Sequence, residues 1–167
     1  MKRESVHRSR YLSGRVMRWH TWPTIHKPNV AEHQCRVAQI YCELWGLPRA
    51  EVLYYCINHD RGEQWAGDVP FGGKSRVPGL ADAIEQAETE GLGLQGVVLP
   101  ELEEHEKLKF KICDMLEMME FCVCEHNMGN KFAEVPYNDL EVKVLVIAQK
   151  LCDTMKVVHW IEGLQYV

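Results

Sequence analysis

The sequence predicts an all-α protein in which six or seven helices form one compact bundle. Apolar residues recur with helical period in nearly every segment long enough to show a period. Proline and glycine separate these segments, and no two alternating runs are joined by the short turn that marks a β-hairpin. A chain of 167 residues, 46% of them hydrophobic, is large enough to bury one core. We therefore expect a single domain over residues 1–167.

The first two predicted helices flank a loop that contains two prolines. Residues 5–19 form the first helix, and the segment HTWPTIHKP that follows is predicted as a loop because a residue before proline disfavours helix. Asn29 and Glu32 then have the spacing of a capping box, which opens the second helix. Gly46 is predicted to end it.

Four further segments have the pattern of helices. Pro48 begins a helix over residues 48–60, and residues 61–78, rich in glycine and proline, hold one short helical turn at most. A short helix over 80–90 is followed by a flexible connection, GLGLQG. A long helix begins at residue 100 and ends at Gly129, and a last helix runs over 136–161.

Composition and charge exclude several classes of protein. The net charge of −5 gives no reason to expect binding to nucleic acid or to an anionic membrane. No apolar run approaches the ~20 residues that cross a bilayer, and the charged N-terminus lacks the apolar core of a signal peptide. The seven cysteines lie mostly within apolar helical segments, as is typical of buried thiols in a reducing compartment. We expect a cytoplasmic protein.

Two features of the C-terminal half have structural interpretations. Cys122, Cys124 and His126 invite a zinc interpretation, but residues two apart on a helix point to nearly opposite sides, so we interpret this cluster as structural. The last predicted helix is apolar on more than one face, with Val142, Val144, Leu145, Val146 and Ile147. This pattern predicts burial in a core or a contact between subunits, and we expect a homo-oligomer.

Three predicted helices each place strong metal ligands among apolar residues. His33 lies in the apolar stripe of its helix, and Asp114 lies one turn from Phe110. His59 and Asp60 end a third apolar segment. Buried polar and charged groups are costly unless a partner compensates them. Taken alone, a buried histidine is explained by a hydrogen bond to a carbonyl, and a buried aspartate by an ion pair with a lysine. One divalent cation would satisfy all four residues together.

The type of ligand narrows the choice of metal. Two imidazoles and two carboxylates suit Zn, Mn, Fe or Co, and ligand softness alone does not choose among these ions. The lack of a cysteine ligand argues against a closed structural zinc site. We expect a divalent transition metal.

The order His33, His59-Asp60, Asp114 resembles the H…HD…D signature of the HD-domain metal-dependent phosphohydrolases. Five shorter motifs strengthen the resemblance: RW at Arg18-Trp19, AEH ending at His33, HDxxE ending at Glu63, GDVPxxxK ending at Lys74 and KxxD ending at Asp114. Their combination resembles the HD hydrolases that act on deoxynucleotides, over about residues 15–130 of this chain. It implies an HD-domain helical bundle and a divalent ion held by His33, His59, Asp60 and Asp114.

Two branches of this subgroup share the motifs. Bacterial 5′-deoxynucleotidases release phosphate from deoxynucleoside monophosphates and are usually longer. Phage-type deoxyadenosine triphosphohydrolases are shorter, and the compact spacing of the motifs here is more similar to theirs. The resemblance thus implies hydrolysis of dATP to deoxyadenosine and triphosphate, in the host cytoplasm if the chain is phage-encoded, with the 5′-deoxynucleotidase as the alternative.

The resemblance also implies catalytic roles for five charged residues. Glu63 would orient or deprotonate the attacking water, while Asp68 would act as a second acid or hold the GDVP turn. Arg18, Lys74 and Lys111 would balance the charge on the phosphate oxygens. Three such cations suit a triphosphate more comfortably than a monophosphate.

Further residues would bind the rest of the substrate. Trp19 would pack on the sugar or the base and exclude a ribose 2′-hydroxyl. Thr21, in the loop that follows, would shape the purine pocket, and Gly72 would leave room beside Lys74. The metal would be Zn, Co or Mn, with additional Mg or Co accompanying the phosphates.

Two other functions are open at this point. Hydrolysis of a guanosine polyphosphate alarmone would use similar chemistry, but the RW and GDVPxxxK elements resemble the deoxynucleotide branch. A catalytically silent nucleotide-binding protein would most plausibly have lost a ligand or Glu63, and both are present here.

Overall fold

The computed structural model describes residues 6–69 and 77–164, and within them eight α-helices and no strand. The helices are α1 (Val6–Ser13), α2 (Val30–Trp45), α3 (Ala50–Cys56), α4 (Glu63–Ala66), α5 (Leu80–Leu94), α6 (Glu104–Asn127), α7 (Glu134–Lys150) and α8 (Thr154–Leu164). Two 3-10 helices, His59–Gly62 and Lys131–Ala133, connect them. The predicted all-α fold class is confirmed, and the predicted count of six or seven helices is too low.

α6 lies at the centre of the fold and packs against α2 and α7. The contacts are made by buried apolar side chains, among them Val37, Ile40, Ile112, Leu116, Met119 and Val144. Burial stabilises each such side chain by about 1.5–3 kcal/mol relative to exposure. Because the core joins α2 to α6, it brings His33 on α2 close to Asp114 on α6.

The boundaries of α2 confirm the prediction from its end signals. The Asn29 side chain accepts a hydrogen bond from the Glu32 backbone N–H at 3.1 Å, and the Glu32 side chain accepts one from the Asn29 N–H at 3.2 Å. This capping box satisfies donors that the first turn leaves unpaired. Gly46 ends the helix at φ 79°, a left-handed conformation that favours glycine.

The first predicted helix is too long, since α1 ends at Ser13 and not at Trp19. The chain instead pairs with the segment before α2: Met17 forms an isolated antiparallel bridge with Asn29. The Arg18 N–H donates to a carbonyl of the same segment at 3.0 Å. This tertiary pairing overrides the helical period, and it places Arg18 and Trp19 beside the start of α2.

The predicted continuous helix over 136–161 is also wrong, because the chain turns between α7 and α8. Cys152 has φ 56°, and the Asp153 carboxylate accepts a hydrogen bond from the Trp45 indole N–H at 3.2 Å. A straight helix of this length would extend about 40 Å and leave the core. The turn brings α8 back against α2 and α6, where Ile161 is buried.

Three other predicted boundaries differ from the structure. The third helix ends at Cys56 instead of residue 60, and α6 begins at Glu104 instead of residue 100. The segment predicted as a flexible connection is partly helical, since α5 continues to Leu94. Gly91 allows this helix to pack on α4, because a Cβ atom there would lie 2.3 Å from the Trp65 ring.

The surface bears on two further predictions. Among the residues that the structure describes, no helix is both long and apolar enough to span a membrane. On α7, Val135, Val142 and Val146 are exposed, while Val144 lies in the core. The predicted homo-oligomer stays a prediction.

Candidate metal centre and active site

His33 is held on α2 with its ring fully buried. Its Nδ1 lies 2.5 Å from Glu117 Oε2, so the Nδ1–H donates to this carboxylate. That bond fixes the ring and directs Nε2 toward the segment that follows α3. A histidine that donates its other N–H to a carboxylate is the usual form of a metal ligand.

His59 lies three residues after Cys56, the last residue of α3. The 3-10 helix His59–Gly62 turns the chain inward, and the His59 Nδ1–H donates to the Cys56 carbonyl at 2.8 Å. Tyr55 stacks on the ring, and Phe110 packs edge-on against it with centroids 4.8 Å apart. Because Nδ1 is the donor here too, Nε2 presents a lone pair.

His33, His59 and Asp60 meet around one point. The two Nε2 atoms are 3.3 Å apart, and Asp60 carboxylate oxygens lie 3.4 Å from His33 Nε2 and 3.2 Å from His59 Nε2. One ligand atom from each residue lies within 4.8 Å of the others. Two lone pairs facing each other beside a carboxylate repel unless a proton or a metal ion lies between them. The donor set therefore fits a divalent metal ion.

Asp114 reaches the same cluster from α6. Its Oδ1 is 3.3 Å from His33 Nε2, while its Oδ2 accepts a hydrogen bond from the Lys111 Nζ at 3.2 Å. The structure thus places three of the four predicted ligands, His33, His59 and Asp60, within 4.8 Å of one another, and it places the fourth against His33. Lys111 is exposed and stands at the edge of the cluster.

The charges of the cluster are strongly coupled. Burial and Arg18 act to lower the pKa of His33, but Glu117 and Asp114 outweigh them and raise it to about 10. Burial acts to raise the pKa of Asp60, but His59 and Arg18 hold it well below its usual range. Without a metal, a proton on His33 compensates the carboxylates. A divalent ion would take the place of that proton.

Arg18 and Glu63 border the cluster. Arg18 is buried, donates to Asp60 Oδ2 at 2.6 Å and lies 3.8 Å from Glu63 Oε1. Glu63 is 4% exposed, and its Oε2 finds no hydrogen-bond partner among the described residues. Burial first, and then the charge of Asp60, raise the pKa of Glu63 to about 9. This pKa is that of the metal-free cluster, and the positive charge of a bound ion would lower it. Once ionised, a buried carboxylate with one open oxygen beside the cluster is placed to accept a proton from water.

Trp19 connects the cluster to the loop that follows it. Its φ of 57° is in the left-handed region, which bulky residues rarely adopt. The Asp68 carboxylate accepts a hydrogen bond from the Trp19 backbone N–H at 3.1 Å, and the Trp19 ring stacks on Phe121 at 5.2 Å. Of the two roles considered for Asp68, this contact favours holding the chain in place over acting as an acid.

The remaining predicted residues are placed as follows. Thr21 is exposed two residues after Trp19. Gly72 and Lys74 lie outside the described residues, so their predicted contacts with phosphate stay predictions.

Sequence reasoning missed several residues that support the ligands. Glu117 lies one turn after Asp114 on α6, and this spacing of three could have been recognised as one helical face. Gln34 lies beside His33. In the amide orientation that gives both its groups a partner, it donates to the Ile57 carbonyl at 3.0 Å and accepts from the Asp60 N–H at 3.1 Å. Only the folded arrangement shows that contact.

The turn that carries His59 and Asp60 packs closely against α5 at Gly62. A Cβ atom at this position would lie 2.4 Å from the Glu88 carbonyl oxygen on α5. Glycine therefore permits a close approach of the turn to α5 that any side chain would prevent.

Comparison with solved structures finds this arrangement of helices elsewhere. The HD phosphohydrolase DatZ of cyanophage S-2L, solved with dA and one catalytic Zn2+ ion, superposes with a TM-score of 0.75 and 17% identity over 96% of each chain. A conserved hypothetical protein from Pyrococcus furiosus superposes with a TM-score of 0.66 and 20% identity, over 97% of this chain and 98% of that one. No protein-family model and no curated protein matches the chain in sequence. The chain has the all-α fold of an HD phosphohydrolase.

Proposed function

We propose that the protein is a metal-dependent deoxynucleoside triphosphohydrolase that converts dATP and water to deoxyadenosine and triphosphate. The observation that carries the proposal is the cluster of His33, His59 and Asp60 within 4.8 Å, bordered by Arg18 and Glu63. The fold shared with a phage HD phosphohydrolase that holds Zn2+ and dA supports it.

His33, His59, Asp60 and Asp114 would hold the divalent ion, which we propose to be Zn, Co or Mn. Once bound, this ion supplies positive charge that polarises a phosphoryl oxygen and acidifies water. The protein's part is to hold the ligands at fixed positions. Glu117 and the Cys56 carbonyl do so by fixing the tautomers of the two histidines.

Glu63 would take the proton of the attacking water. The water oxygen would bond to the α-phosphorus and the bond from that phosphorus to O5′ would break. The 5′ oxygen would leave as a hydroxyl after taking up the proton that Glu63 accepted from the water. The open Oε2 of Glu63 is the acceptor atom available beside the cluster. The charge of the bound ion would keep this carboxyl ionised before the reaction, and its burial gives the carboxylate a high affinity for the proton that water loses.

Arg18 and Lys111 would balance the charge of the phosphates. Both already contact ligand carboxylates, at 2.6 Å and 3.2 Å, so they stand where non-bridging oxygens would be held. The buried fork of Arg18 can bind two oxygens at once, whereas the exposed Lys111 can move with the phosphate chain. We propose that Lys74 and further Mg or Co ions complete the charge balance.

Trp19 would lie against the sugar and the base. Its ring forms a flat surface with Phe121, next to the arginine that borders the metal cluster. A bulky ring beside C2′ would exclude a ribose hydroxyl, and Thr21 on the same loop would contact the purine.

The test is product analysis with the metal-loaded protein and each dNTP and dNMP in turn. Release of triphosphate and deoxyadenosine from dATP is the expected result. Orthophosphate released from monophosphates alone would overturn the proposal and establish a 5′-deoxynucleotidase. Nucleotide binding without turnover of any substrate would indicate a non-enzymatic binding protein.

A further inference from the structure

Residues 19–28, which we call loop 19–28, form one wall of a cleft beside the metal cluster. The opposite wall is formed by the C-terminal part of α6 and the residues after it. The cleft is rich in aromatic rings, with Trp19, Trp22, Phe121 and Phe132 among its lining residues. Phe121 follows Asp114 by two helical turns, about 10 Å along the axis of α6. The two walls touch, since the Trp19 ring stacks on Phe121 with centroids 5.2 Å apart. A deoxynucleoside whose α-phosphate lies at the metal would therefore contact the loop at Trp19 and Thr21 and would not enter the narrow space between the walls.

Glu125 joins the two walls. Its carboxylate is fully buried, and its two oxygens accept hydrogen bonds from the backbone N–H groups of Ile25 and His26, at 2.7 Å each. The Asn130 side chain donates both to Glu125 at 2.8 Å and to the Pro23 carbonyl at 2.7 Å. One buried carboxylate and one amide therefore hold the loop backbone at positions 23, 25 and 26.

Few other contacts hold this part of the loop. Its side chains at Thr21, Ile25 and His26 are exposed. The bond between the Trp22 N–H and the Trp19 carbonyl is local, as is that between the Lys27 and Thr24 side chains. Two contacts reach other parts of the fold: His26 Nε2 lies 3.3 Å from Glu32 Oε2 on α2, and the Trp19 N–H donates to Asp68. The bonds to the backbone in the middle of the loop come from Glu125 and Asn130.

We infer that Glu125 is a positioning residue that sets the position of loop 19–28, which carries Trp19 and Thr21, and thereby selects the nucleobase of the substrate. The inference rests on the proposed deoxynucleotide hydrolysis. Glu125 does not touch the metal cluster, and it acts through the loop backbone. Two bonds from one ionised acceptor hold two adjacent amides, a stronger restraint than neutral acceptors would give.

The test is Glu125→Gln in the full-length, metal-loaded protein. Glutamine keeps the size of the side chain but has one acceptor oxygen, so one of the two N–H groups faces an NH2 and loses its partner. The loop then occupies other positions, and apparent affinity falls in proportion to the competent fraction. We expect the KM for dATP to rise about tenfold or more, with kcat within about threefold of wild type. Metal content should not change, and the preference for dATP over dGTP should decrease.

Glu120→Gln is the matched control. Glu120 lies on the same helix, pairs with Arg36 and makes no bond to the loop, so the KM for dATP should stay at its wild-type value. Hydrogen exchange at the Ile25 and His26 amides should accelerate in Glu125→Gln alone. Asn130→Ala is a second variant. It should also raise the KM for dATP, but by a smaller factor than Glu125→Gln.

Three results would overturn the inference. In the first, Glu125→Gln accelerates exchange at these amides and leaves the KM and the base preference unchanged. This result would show that the position of the loop does not affect substrate binding. In the second, both Glu125→Gln and Asn130→Ala lose metal and kcat together without a change in KM, as a purely structural role predicts. In the third, the wild-type protein hydrolyses no deoxynucleotide, which identifies the proposed function itself as the part that failed.

Discussion

The metal cluster and loop 19–28 are adjacent but are held in place by different means. The cluster is built on α2, α6 and the turn after α3, which are joined by the apolar core. The loop has no regular structure over most of its length and is held by polar bonds from one end of α6. We therefore expect reaction geometry to depend on core packing, and substrate choice to depend on a few hydrogen bonds that can change without disturbing the core.

Asp60→Asn has the largest expected effect, and it acts on the cluster. The substitution removes the charge of one ligand and keeps its size, so we expect loss of stoichiometric metal and a fall in kcat/KM on the order of 10³-fold or more. Metal analysis after dialysis and a dATP assay measure both. Asp139→Asn on the exposed face of α7 is the control. Full metal content and activity in Asp60→Asn would show that the ligand assignment is wrong.

Glu63→Gln separates the chemical step from metal binding. Because the amide cannot accept a proton from water, kcat should fall by about 10²–10⁴-fold while the metal stays bound. Steady-state kinetics and metal analysis on the same preparation provide the measurement. Unchanged turnover in a metal-loaded variant would contradict the role of Glu63. It would not affect the assignment of the metal ligands.

Glu117→Ala tests the support of the cluster. The variant removes the acceptor that orients the His33 ring, and loss of such a partner typically weakens metal affinity by about 10–100-fold. Competition with a chelator of known affinity measures the change. Activity at saturating metal should largely recover, and a failure to recover would indicate a further role for Glu117.

Trp19→Ala acts on the loop side. Without the ring, a ribose hydroxyl can be accommodated, so the ratio of kcat/KM for dATP to that for ATP should fall about tenfold. Metal content should stay at the wild-type level because the ring makes no contact with a ligand. An unchanged ratio would place sugar discrimination elsewhere.

The last prediction concerns stability instead of activity, namely its pH dependence in the metal-free protein. Glu63 keeps its proton in the folded state up to about pH 9, whereas the unfolded chain loses it near 4.5. Folding therefore retains a proton in this window, and the free energy of unfolding decreases as pH rises through it. Glu63→Gln should reduce this slope by up to about 1.4 kcal/mol per pH unit. Urea unfolding with a chelator at several pH values measures the slope, and an identical slope in both proteins would refute the prediction.

The sequence predicted the cluster better than the loop because the two carry different signals. The ligands are side chains of distinctive type at motif spacing, and the helices that carry them have end signals such as the capping box at Asn29. The loop is held through backbone N–H groups, which have no sequence signature. Glu125 lies 100 residues from Ile25 in the chain, so nothing local could associate them.

The helix boundaries that were predicted wrongly have a similar cause. The turn between α7 and α8 has no glycine at Cys152, and the indole that contacts Asp153 comes from α2. The bridge between Met17 and Asn29 likewise requires two distant segments to meet. In both places contacts formed on folding outweighed a helical period that was correct locally.

α6 carries Asp114 toward the metal and Phe121 and Glu125 toward the cleft on one uninterrupted stretch of helix. Under the proposed function, the rise of this helix would fix the distance between the metal, where the phosphate binds, and the loop that contacts the base. Inserting one residue between Asp114 and Phe121 would rotate the second group by about 100° out of register, while inserting four would nearly restore the direction and lengthen the interval by about 6 Å. An enzyme rebuilt in this way would bind a longer substrate and use the same catalytic residues.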